Sequence, residues 1–128
     1  MRKLMLTAVL PMLMLTLALS VAGCGGSSSS GGANELDMGS ASFTQTSITL
    51  SSGQALHMVD PQDTGGTHNL CIGQNGTCDA NSNGPSDLAK PGMMFSPGTT
   101  KDVTFSAAGT YHITCTIHPS MNVTVTVQ

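Results

Sequence analysis

The chain is 128 residues long, with four Lys/Arg against seven Asp/Glu and a formal net charge of −3. That length holds at most one ordinary domain. An acidic balance with only 9 % charged residues lacks the basic patches that phosphate backbones demand, so nucleic acid is not an expected partner.

Arg2 and Lys3 precede an apolar run from Leu4 to Leu19, followed by the small-residue stretch Val21-Ala22-Gly23-Cys24. This is the three-part form of an export signal. Its last four residues resemble the lipobox of bacterial lipoproteins, which implies residues 1–23 as a signal peptide and Cys24 as the lipid-modified first residue of the mature chain. An uncleaved membrane anchor is the alternative, but Thr7, Pro11 and Thr16 interrupt a run shorter than the ~20 apolar residues of a usual span. Processing removes both N-terminal cations, leaving Lys90 and Lys101 against seven carboxylates, a net charge of −5. The expected location is outside the cytoplasm, lipid-anchored on the extracytoplasmic face of a bacterial membrane, in the periplasm or at the cell surface.

Residues 25–40, GGSSSSGGANELDMGS, are Gly/Ser-rich and nearly free of large apolar groups. Such composition does not fold alone, so residues 24–40 are expected to be a flexible tether of roughly 20–25 Å root-mean-square length. From residue 41 to residue 128 the pattern predicts a single β domain. ITLSSGQALHMV alternates apolar and polar residues on both sides of a Ser-Ser-Gly turn. Val103 and Phe105 share one face, as do Tyr111, Ile113 and Cys115, and then Val123, Val125 and Val127. The intervening segments are rich in Gly, Pro, Asn and Asp, and only PSDLAK could form a helical turn. Short strands at regular spacing predict an all-β sandwich. With three Phe, one Tyr and no Trp, its core is aliphatic and modest.

The stretch YHITCTIHPSM places Cys115, His118 and Met121 at equal steps of three, directly after a predicted strand. His68, in TGGTHNLCIG, opens an earlier strand. Two imidazoles and a thiolate in a plane, with a weak axial thioether, are the donor set of a blue-copper electron-transfer site. Thiolate and thioether favour Cu(I), and imidazole tolerates both oxidation states. Two other readings use the same residues. Cys115 could pair with Cys71 or Cys78 in an immunoglobulin-like sandwich, or Cys71, Cys78, Cys115 and His118 could hold a structural zinc.

At these residues the chain resembles the cupredoxins, the type 1 copper proteins of the plastocyanin/amicyanin group. GTYHITC resembles the family's Gly-x-Tyr-x-x-x-Cys strand, THN its upstream His-Asn pair, and SPGTTKDVTF its Pro-Gly turn and strand. The short CTIHPSM loop is closest in length to that of amicyanins. The resemblance implies a Greek-key β-sandwich holding one copper, with His68, Cys115 and His118 as strong ligands and Met121 axial. It also implies that Asn69 hydrogen-bonds to the ligand loop, as outer-shell groups that tune a metal do.

Cys71 and Cys78 have no counterpart in that copper pattern. An exported location favours a disulfide between them, and strand alternation points Cys71 away from the core, between Leu70 and Ile72. His57 and His112 are expected to be solvent-facing strand residues, and Met93, Met94 and Pro119 to form an apolar collar at the exposed edge of His118. The expected function is one-electron transfer by a tethered monomer between a donor and an acceptor redox protein. No enzymatic activity is expected, since protein ligands fill the site. Copper storage or delivery is the alternative function, although clustered Met-x-x-Met motifs are absent and four of the nine Met lie in the signal.

Overall fold

The computed structural model describes residues 32–128. The expected signal peptide, Cys24 and the first part of the expected tether lie outside the described residues. Nine strands follow in chain order: β1 (Glu35–Asp37), β2 (Ser47–Leu50), β3 (Ala55–Val59), β4 (His68–Gln74), β5 (Thr77–Cys78), β6 (Met93–Phe95), β7 (Thr100–Thr104), β8 (Gly109–Cys115) and β9 (Asn122–Val127). Among the described residues one 3-10 turn, at Ser86–Leu88, precedes β6.

The strands form two sheets. The smaller has the order β1-β3-β7, with β1 parallel and β7 antiparallel to β3. The larger runs β2-β9-β8-β4, and β5 and β6 share the outer edge of β4. The Ser51-Ser52-Gly53 turn is therefore no hairpin. It passes the chain from the larger sheet, where β2 pairs in parallel with β9, to the smaller one. Gly53 sits there at φ 84°, a left-handed conformation that glycine adopts without a Cβ penalty.

Alternation explains which residues meet between the sheets. Val123, Val125 and Val127 of β9 are buried, as are Ile48 and Leu50 of β2, while Ser47 and Thr49 are exposed. Leu56, Met58 and Val103 of the smaller sheet, and Phe105 just after it, join them within one continuous core. Each such side chain contributes about 1.5–3 kcal/mol on full burial. Phe105 meets Tyr111 at 5.1 Å between ring centroids, and the Tyr111 hydroxyl donates to the Ala107 carbonyl at 2.8 Å. The result is the Greek-key sandwich expected from the sequence.

Two expectations are corrected. The tether does not extend to residue 40, because Glu35–Asp37 pairs with His57–Val59 and both Leu36 and Met38 are buried. Leu36 is the one apolar residue of this strand, Met38 follows directly after it, and the surrounding Gly and Ser hide both. The outward direction expected of Cys71 does not expose it either. It points away from Leu70 and Ile72 but is fully buried, because its sulfur is bonded to Cys78 of the neighbouring β5.

Candidate metal centre

Register builds the site. Strand β4 pairs antiparallel with β8, with Leu70 opposite Cys115. The residue before Leu70 therefore meets the residue after Cys115, and the Thr116 amide donates to the Asn69 carbonyl at 2.9 Å. This sets His68, the first residue of β4, beside the end of β8. The connection to β9 then folds back tightly: the Met121 amide donates to the His118 carbonyl at 2.9 Å, and the Cys115 amide to the Met121 carbonyl at 3.1 Å.

Cys115 Sγ lies 3.8 Å from His68 Nδ1 and 3.7 Å from His118 Nδ1, and the three residues offer donor atoms all within 4.8 Å of one another. Two ligands at about 2.3 Å (sulfur) and 2.0 Å (imidazole) from one ion, separated by about 120°, stand roughly 3.7 Å apart. The sulfur–nitrogen distances are thus those of groups converging on a common centre. His68 and Cys115 are fully buried, and His118 is half-buried. Met121 is buried at the base of the same loop, within the core cluster. One imidazole is sealed in the protein and the other reaches its surface.

Burial pushes the pKa of His68 below the ordinary imidazole value; the Asp60 carboxylate opposes this, and the His118 ring adds to it. A neutral ring keeps a lone pair for a metal. Asp60 is itself fully buried, with Oδ1 3.9 Å from His68 Nε2. That oxygen accepts the Gly66 amide at 3.1 Å, while Asp60 Oδ2 and His68 Nε2 have no hydrogen-bond partner. Sequence reasoning passed over Asp60 as a turn residue. The available signal was the Gly65-Gly66 pair: an added Cβ on Gly66 would lie 2.8 Å from the Ser40 carbonyl oxygen and 3.3 Å from His68 Nε2. Only glycine lets the backbone close over that ring edge.

Asn69 ties the two ligand-bearing segments together, its amide nitrogen donating to Thr116 Oγ1 at 3.0 Å and to the Pro91 carbonyl at 2.9 Å. Cys71 and Cys78 form a disulfide, and Cys115 is free. That excludes a Cys115 disulfide to either residue and a zinc site built from all three cysteines. His57 and His112 lie outside the cluster: His57 Nδ1 is 2.6 Å from Asp102 Oδ1, and His112 Nδ1 is 3.3 Å from Thr124 Oγ1. Among the described residues the exposed large hydrophobic side chains are Met94 and Ile117. Met94 is paired opposite Asn69, and Ile117 precedes His118.

Residues 31–128 match the family described as copper binding proteins, plastocyanin/azurin family. The fold is also that of solved amicyanins. A reduced amicyanin variant superposes with a TM-score of 0.56 at 22 % identity, covering 76 % of this chain and 83 % of that one. Amicyanin from Paracoccus versutus (Thiobacillus versutus) gives a TM-score of 0.53 at 19 % identity, covering 73 % and 79 %. No curated protein sequence is significantly similar to the chain. The chain belongs to the plastocyanin/azurin family of copper binding proteins, and its two imidazoles and one thiol fit a single type 1 copper ion.

Proposed function

We propose that this protein is a one-electron carrier, with His68, Cys115 and His118 as strong copper ligands and Met121 as the axial one. The observation that carries the reading is the convergence of two imidazole nitrogens and one thiol sulfur within 4.8 Å, beneath a half-buried histidine. Bound copper supplies a Cu(II)/Cu(I) couple. The chain supplies rigidity: the hydrogen bonds from Met121 to His118, from Cys115 to Met121 and from Asn69 to Thr116 fix the donors, so that little rearrangement accompanies a change of charge. Donors crowded on a braced loop favour a carrier over an enzyme, whose metal keeps a position open for substrate.

The exposed part of His118 is the route for the electron. Met94 and Ile117, 54 % and 46 % exposed, together with exposed Pro119, provide an apolar surface on which a donor and then an acceptor protein dock transiently. Lipidation at Cys24 would hold the monomer at the extracytoplasmic membrane surface, within reach of membrane-bound partners. Adding Cu(II) to the purified protein tests the reading: an intense blue colour lost on reduction and regained on oxidation is expected. Tight but colourless Cu(I) binding would assign the protein to copper handling instead.

A further inference from the structure

The disulfide takes no part in the donor set, yet it closes a hairpin whose tip rests on the ligand loop. Cys71 and Cys78 bridge β4 and β5, seven residues apart in sequence, and Gly73 pairs with Cys78 and Gln74 with Thr77. The tip is Asn75-Gly76, with φ of 51° and 77°, the two-residue Asn-Gly turn suited to the twist of a hairpin. Two hydrogen bonds and one close backbone approach join this tip to the strand ends and loop around His118. The Asn75 amide donates to Asn122 Oδ1 at 2.9 Å, and Asn122 Nδ2 donates to the Pro119 carbonyl at 3.0 Å. The Gly76 amide donates to Thr114 Oγ1 at 2.9 Å. An added Cβ on Gly76 would lie 2.9 Å from Pro119 Cβ and 3.1 Å from its Cα, so the tip backbone lies directly against the proline that follows His118.

We propose that the disulfide-closed hairpin is a buttress for the ligand loop, with Asn75, Gly76 and Asn122 as positioning residues that hold Pro119 and, through it, His118. The copper consequence rests on the reading of His118 as a ligand; the mechanical claim does not. A two-residue β5 has few ladder hydrogen bonds of its own, and an isolated hairpin is marginal in water. The covalent link keeps the tip in place, and the tip limits outward movement of the loop at its exposed histidine. Asn69, at the far end of β4 from the hairpin tip, braces the same loop through Thr116. The loop is thereby held both at Thr116 and at Pro119.

Amide hydrogen exchange on the metal-free full chain tests this directly. In the double variant Cys71→Ser/Cys78→Ser, the Thr116 and Met121 amides should exchange about tenfold faster relative to the His57 amide of the smaller sheet and the Phe105 amide just beyond it, the effect of losing one or two hydrogen bonds locally. Equal acceleration everywhere, or an unchanged loop, would overturn the buttress. Should the double variant not fold, Asn122→Ala carries the test with the disulfide intact, and the same contrast between loop and sheet is expected. Titrating both proteins with Cu(II) alone adds a second readout. A broadened or shifted blue absorption in the variant supports the buttress, and an identical spectrum counts against it. Absence of blue colour in the unmodified protein would sink the copper reading and leave the exchange result standing, so the two failures are distinguishable.

Discussion

The two halves of the metal centre are built by different means. The Cys115–Met121 loop is short and carries its candidate donors at steps of three, closed by backbone hydrogen bonds within the turn. The segment from Asp60 to His68 brings one donor at the end of a long turn wound around a buried carboxylate. The first half is local and the second is tertiary. His68 reaches the sulfur only because β4 and β8 pair in one register, and a slip of one residue would turn every side chain of β4 to the other face.

That contrast can be broken most severely from the local side. Cys115→Ser should abolish the blue colour on Cu(II) addition, because the hydroxyl offers no soft anionic donor; retention of an intense visible band would refute the assignment of the thiolate. His68→Ala comes next. Copper affinity measured by chelator competition should fall by more than the roughly 10–100-fold that outer partners of a metal are worth, and an unaltered affinity would remove the tertiary half from the site.

Asp60→Asn sharpens the comparison, since it keeps the shape of the turn and removes its buried charge. Copper affinity should drop by about 10–100-fold with the β-sheet circular dichroism preserved, and equal affinities would reduce Asp60 to a fold element. Met94→Lys should leave colour and affinity as they are while slowing reduction by the physiological partner; bleaching would show a structural role instead. Leu36→Ala, at the far sheet, should cost about 2–5 kcal/mol of unfolding free energy in denaturant titrations with no effect on the copper spectrum.

Legibility followed the same division. Alternation in NVTVTV and GTYHITC and the spacing Cys115-His118-Met121 are short-range patterns, open to direct reading because a strand has a period of two and a tight loop has few ways to close. Strand β1 was missed because three residues among glycines and serines carry too little pattern, and its burial comes from β3 rather than from its own composition. Asp60 was missed for a similar reason. An Asp-Pro pair reads as an exposed turn, and the Gly65-Gly66 pair after it signals a close backbone approach without saying that a carboxylate is what the fold encloses.

By itself the amino-acid sequence determined the β character, the donor types and the compact ligand loop, since each depends on residues within a few positions of one another. The three-dimensional fold decided that the 68-position imidazole meets the sulfur, that a carboxylate lies buried behind that ring, and that a disulfide-closed hairpin supports the loop. These depend on pairing between segments tens of residues apart, which burial of the shared core selects and which no local pattern records.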